Sequence, residues 1–106
     1  MSGPKPLRLS PAAQRDLTAI LRYTGETWGR AQLLTYRDKL NEALLLLADN
    51  PELGHRGAAL SSSHRQFSVG SHVIVYRERV HATEIVRILH QRMSLGPNVE
   101  SRAARA

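Results

Sequence analysis

Two long helical stripes, punctuated by proline and glycine, constrain this chain more than any other feature. Ser10 followed by Pro11 marks a helix start, because the serine oxygen can accept an early amide hydrogen and proline at the first helical position loses no bond. From there Ala13, Leu17, Ile20, Leu21, Thr24 and Trp28 recur at spacings of three and four, and Gly29 interrupts them. A second stripe runs through Leu33, Tyr36, Leu40, Ala43, Leu44 and Leu47, with Arg37, Asp38, Lys39, Asn41 and Glu42 on the wet face. It ends at Asp49-Asn50-Pro51, where proline disfavours helix in the residue before it. Two amphipathic helices joined by one glycine predict an antiparallel hairpin.

The rest of the chain reads as strands. Residues 5–9 predict a short strand, and residues 51–64 a loop with Pro51, Gly54, Gly57 and three serines. Three strands follow: Arg65 to Val69, His72 to Glu78 and Thr83 to His90. Gly70-Ser71 suits the first hairpin turn, and Arg79 to Ala82 the second. The order β-α-α-β-β-β predicts an α+β fold, a helical hairpin packed on one face of a small, mainly antiparallel sheet. One domain over residues 5–93 is expected, with a tail over 94–106 that is weakly ordered or contacts a partner.

The strands pose a question of coverage. Alternation puts His72, Ile74 and Tyr76 on one face and Val73 and Val75 on the other, then Ile85 and Leu89 against Val86 and Ile88. Both sheet faces are apolar, yet two helices cover one. The tail, a second copy or a partner peptide is left to cover the other.

Composition excludes several chemistries. The chain has no cysteine, which removes disulfides, thiolate zinc sites and a cysteine nucleophile together. The five histidines fall eight or nine residues apart, unlike metal ligands that share a helix or turn, so neither metal nor cofactor is expected. No Walker loop, GxGxxG or GxSxG elbow is present. Asp16, Glu26, Asp38 and Glu42 read as solvated helix positions, and Trp28 as core. No apolar run reaches membrane-span length, and the first residues lack a signal-peptide core, which predicts a cytoplasmic protein.

The remaining chemistry is basic. Net charge is +6, and residues 51–106 carry eight arginines against four glutamates, so an acidic partner is favoured. Arg65, Arg77, Arg87, His90 and Arg92 lie on or just after the strands. Such groups suit either phosphate binding with acid–base cleavage or pairing with an acidic protein surface.

Several segments resemble one family. Leu9-Ser10-Pro11-Ala12-Ala13 leading to Asp16-Leu17, then Ile20 and Trp28-Gly29, is similar to the opening of ParE-type toxins. Asn50-Pro51 with Gly54, and Gly70-Ser71-His72 through Tyr76-Arg77, continue the likeness. Ile85-Val86-Arg87-Ile88-Leu89-His90-Gln91-Arg92-Met93 looks like the family's closing strand. The resemblance spans roughly residues 7 to 93 and implies the RelE/ParE-like fold. It also implies a toxin that binds DNA gyrase and stabilises its cleaved-DNA complex without being an enzyme. A ParD-like antitoxin that wraps the toxin in a hetero-oligomer is implied too.

The RelE branch of the same superfamily cuts messenger RNA on the ribosome, and it is the alternative. Its pattern would place an arginine where His72-Val73-Ile74 stands and a tyrosine near the end, where none follows Tyr76. His90 and Arg92 remain as a base and an arginine for that chemistry. A departure from the ParE pattern is Ser94, where an aspartate is common, and a degenerate, non-toxic antitoxin-binding homologue is the third possibility. Within the gyrase reading, Arg65, Arg87, His90 and Arg92 are the candidate basic contacts. Leu33, Tyr36, Val73 and Val75 are the candidate antitoxin contacts.

Overall fold

A computed structural model of the chain describes residues 6–56 and 63–92. The order is β1 (Leu7–Leu9), α1 (Pro11–Trp28), α2 (Arg30–Asp49), β2 (Arg65–Val69), β3 (His72–Glu78) and β4 (Thr83–His90). Two helices pack on a four-stranded mixed sheet in the order β1-β4-β3-β2. β1 pairs parallel with β4, and the two hairpin pairs are antiparallel. This is the α+β plan the sequence predicts. Position 5 and the tail fall outside the described residues.

The helix boundaries follow the local chemistry. Ser10 caps α1 by accepting the Ala13 N–H at 3.0 Å, with Pro11 next in line. Gly29 ends α1 and begins α2 at φ 92°, a backbone angle that glycine adopts without steric cost. α2 stops at Asn50, ahead of Pro51. The core lies between the helices and one sheet face, where Ala13, Leu40, Leu44 and Leu47 meet Ile74, Tyr76, Ile85 and Ile88.

Ser10 also donates its hydroxyl to Val86 O at 2.7 Å, so one side chain caps the helix and fastens it to the sheet. Ser10→Ala removes both bonds and is expected to lower stability by about 1–2 kcal/mol in chemical denaturation. Ser10→Thr retains both groups and is expected to recover most of the loss.

One expectation about the sheet is corrected. The β3–β4 register shifts between Val75 and Tyr76, so that Val75 faces Arg87 while Tyr76 faces Ile85. This bulge leaves Val86 as the extra residue and reverses the alternation after it. Ile85 and Ile88 therefore join the helix-side core, while Val86 and Leu89 join Val73 and Val75 on the far face. Simple alternation had paired Ile85 with Leu89. On the far face Val73, Val75 and Leu89 are buried.

Candidate functional site: a groove at the open end of the helical hairpin

β4 is longer than its β1 partner, and the difference shapes the site. β1 pairs with β4 through Thr83 to Ile85, and among the described residues no strand pairs with the outer edge from Val86 onward. The bulge turns Val86 O and Ile88 N toward that edge, and α1 runs along it. Val86 O accepts from Ser10, and Ile88 N–H donates to Asp16 Oδ2 at 2.9 Å. Asp16 also accepts from Arg87 twice, Nε to Oδ2 at 2.7 Å and Nη2 to Oδ1 at 2.9 Å. One carboxylate thus closes a strand edge and holds a guanidinium in a two-point pair.

Two sequence expectations are corrected here. Asp16 is not a solvated carboxylate, and Arg87 is not an exposed contact, being only 9% exposed. The bond to Asp16 holds the Arg87 guanidinium above its ordinary value, outweighing desolvation. Asp16 stands three residues after Ala13 and four before Ile20, at the border of the apolar stripe. An acid at that border and an arginine inside an apolar strand were the available signal for the pair.

Next to this edge, a groove of about 460 Å³ opens between the end of α1, the start of α2 and the β2–β3 turn. Tyr23 and Trp28 come from α1, Tyr36 and Lys39 from α2, and His72 and His90 from facing positions of β3 and β4. Trp28 is 69% exposed, which corrects its assignment to the core. Leu17, Ile20 and Leu21 of the same stripe pack against the core, whereas Trp28 at its end lines the groove.

The floor of the groove is a hydrogen-bonded cluster. Tyr36 Oη lies 2.6 Å from His72 Nδ1 and 3.2 Å from Val69 O, and it accepts the Ser71 N–H at 3.3 Å. His72 and His90 meet edge to face with ring centres 5.4 Å apart. His90 Nδ1 accepts the Arg92 N–H at 3.2 Å, which leaves Nε2 to carry the proton of the neutral ring. Gly70 sits at φ 56°, and a Cβ there would come within 2.8 Å of the Tyr36 ring. Turn and tyrosine are therefore fitted to each other.

Burial holds the His72 imidazole below its ordinary value, and the neighbouring His90 lowers it further. Burial raises the Tyr36 hydroxyl, against the opposing pull of the Ser71 amide. The His72 shift has a stability consequence. An unfolded imidazole takes its proton near pH 6.5, before the folded one does, so the unfolded state binds more protons below that point. Stability is expected to be flat from His72 above about pH 7 and to fall as pH drops through 6.5. In thermal melts from pH 8 to pH 5, the wild-type decline should be steeper than that of His72→Asn; equal slopes would assign the effect elsewhere.

The sequence-derived contact residues are not brought together. Arg65 stands level with Tyr76 and Ile85, whereas His90 stands level with His72 and Val69. That is four residues, or about 13 Å, along the strands. Arg65 Nη1 donates to Gly54 O at 2.8 Å, and Arg92 is exposed just past His90. Among the candidate antitoxin contacts, Tyr36 lines the groove, Leu33 is half-buried, and Val73 and Val75 are inside. Sequence reasoning did not anticipate the groove itself, with Tyr23, Lys39 and the His72–His90 pair. Among the described residues, no three His, Cys, Asp or Glu side chains are grouped to hold a metal, and no helix is long and apolar enough to cross a membrane.

Comparison with known proteins accounts for this architecture. The chain is 38% identical over 90 residues to Toxin ParE1 of Caulobacter vibrioides, covering 85% of this chain and 93% of that one. It is 38% identical over 92 residues to Toxin ParE1 of Mycobacterium tuberculosis, covering 86% and 94%. Among solved structures it is similar in fold to the chromosomal ParDE TA system from P. aeruginosa, with a TM-score of 0.72 at 19% identity over 84% and 98% of the two chains. It is also similar to the toxin–antitoxin complex RelBE2 from M. tuberculosis, with a TM-score of 0.58 at 20% identity over 86% and 95%. The family described as the ParE toxin of the type II toxin–antitoxin system parDE matches residues 7–95, and the chain belongs to it.

Proposed function

We propose that this toxin inhibits DNA gyrase by binding, catalyses no reaction itself, and is held inactive in the cytoplasm by a ParD-like antitoxin in a hetero-oligomeric complex. Membership of the ParE family supports the target, and the ParDE and RelBE2 neighbours support an antitoxin partner. The observation that carries the binding reading is the fate of Arg87. The arginine central to β4, one of the basic groups that would suit phosphate cleavage, is buried against Asp16, which leaves only His90 and Arg92 of that strand's end for such chemistry. His90 and Arg92, at the end of β4, are the gyrase contacts on this reading, and Arg65 is a separate contact about four residues along the sheet. Tyr36 and Leu33 at the helical hairpin are the antitoxin contacts, with Val73 and Val75 serving the interior.

Purified gyrase with this protein added is expected to lose supercoiling activity and to accumulate cleaved DNA, while messenger RNA in a parallel translation assay stays intact. His90→Glu combined with Arg92→Glu is expected to reduce inhibition at least about tenfold, with an unchanged thermal midpoint, because like charge placed in a contact costs several kcal/mol. Full inhibition by that variant would remove the contact assignment. Messenger RNA cleavage is the second reading, favoured by the convergence of Tyr36, His72 and His90 as acid–base groups. Cut messenger RNA with active gyrase would select it. Silence in both assays would indicate a non-toxic homologue.

A further inference from the structure

The groove carries more information than a contact surface needs. Its two exposed aromatic side chains, Trp28 and Tyr23, are 69% and 65% exposed, a large apolar area left in water. Among the described residues, Lys39 is the one that lines the groove with a fixed charge, and no carboxylate lines it. His72 and His90 form the inner wall, with Tyr36 beneath His72. We propose that this groove takes a linear peptide segment in which one Asp or Glu stands beside one large apolar side chain, the carboxylate meeting Lys39 and His90 and the apolar group packing on Trp28 and Tyr23.

The charge count decides among occupants. A nucleic-acid strand carries a negative charge at every phosphate, and its grooves are lined with cations along the track. A single lysine matches a single carboxylate instead. A second copy of this chain is disfavoured by a net charge of +6 on each. The apolar half of the segment supplies the affinity, since buried aromatic contacts dominate small interfaces. The carboxylate supplies orientation, because an uncharged or basic residue would leave Lys39 without a counter-charge. The inference rests on the antitoxin reading in one respect: it gives the chemistry of a partner at the helical hairpin.

Random-peptide display against the immobilised full chain tests it without gyrase or antitoxin present, so its outcome is separate from that of the supercoiling assay. Enriched peptides are expected to hold Asp or Glu within two residues of Trp, Phe or Leu. A synthetic enriched peptide should blue-shift the emission of Trp28, the only tryptophan of the chain. Lys39→Glu should weaken that peptide at least about tenfold, and exchanging the peptide carboxylate for lysine should restore binding to the variant. Lys39 is exposed, so the variant should melt like the wild type. Enrichment of neutral or basic peptides would overturn the proposal, as would equal affinity for Lys39→Glu. A short oligothymidylate that shifts Trp28 emission at lower concentration than any peptide would assign the groove to nucleic acid. A blue shift that grows with protein concentration alone, together with dimers in sedimentation, would assign it to a second copy.

Discussion

Asp16→Ala is expected to cost about 3–5 kcal/mol of folding stability, a large share of the roughly 5–15 kcal/mol that holds a domain of this size together. Three bonds end on this one carboxylate: two from Arg87 and one from the Ile88 amide. The side chains of Asp16 and Arg87 are 15% and 11% exposed, so water cannot take over. Removing Asp16 leaves a buried guanidinium without its counter-ion and a strand-edge amide without an acceptor. Among the described residues Arg87 Nη1 already has no partner, so the arginine has no reserve contact there. Urea denaturation gives the number. The double variant Asp16→Leu with Arg87→Met should recover much of the loss, since an apolar pair of similar volume replaces an ion pair at little net cost. If Asp16→Ala lost less than about 1 kcal/mol, the pair would be of the weak surface kind. Because α1 is fastened to β4 here, the loss should also disturb the groove and with it any partner binding.

Gly54→Ala is expected to destabilise the chain by about 3 kcal/mol, at the upper end of overpacking effects. Gly54 is buried between β2 and the end of β3. A Cβ there would collide with the Tyr76 hydroxyl, come within 2.6 Å of Tyr76 Cε1 and reach 2.8 Å from Gln66 O. Its neighbours are fixed as well. The Tyr76 hydroxyl donates to Pro51 O at 2.6 Å and accepts the Gly54 N–H at 2.7 Å, so the loop after α2 is clamped to a fully buried ring. Arg65 adds a third point at Gly54 O. Tyr76→Phe alone orphans the buried Gly54 amide and the half-buried Pro51 carbonyl and is expected to cost about 1–3 kcal/mol. Combining it with Gly54→Ala should recover only part of the clash, because the ring carbon and the Gln66 carbonyl remain. Thermal melts of the two single variants and the double variant measure this coupling. Strict additivity would show that the two residues do not constrain each other.

The elements themselves were legible in the sequence because their signals are local. Ser10-Pro11, Gly29 and Asn50-Pro51 act on backbone angles and hydrogen bonds within one helical turn, and they mark the helix ends observed. Gly70-Ser71 sets the β2–β3 hairpin in the same way, and the short connections pair β2 with β3 and β3 with β4. The family resemblance was legible for a related reason, since these punctuating residues recur in order along the chain.

What the sequence did not disclose depends on partners far away in the chain. The bulge at Val75 and Tyr76 arises from pairing β3 with β4, and it reverses which residues of β4 face the helices. Alternation assumes an unbroken register and cannot contain such a reversal. Asp16 and Arg87 are 71 residues apart, and each alone resembles an ordinary solvated charge. Trp28 continues a core stripe in one dimension, but only the tertiary structure shows that it lies exposed on the groove and not in the core. The sequence by itself determined the elements, their order and the family, because these rest on short-range backbone chemistry. The tertiary structure decided which charges are buried, which face each β4 residue joins and where the groove lies, because these rest on the meeting of α1 with the open edge of β4.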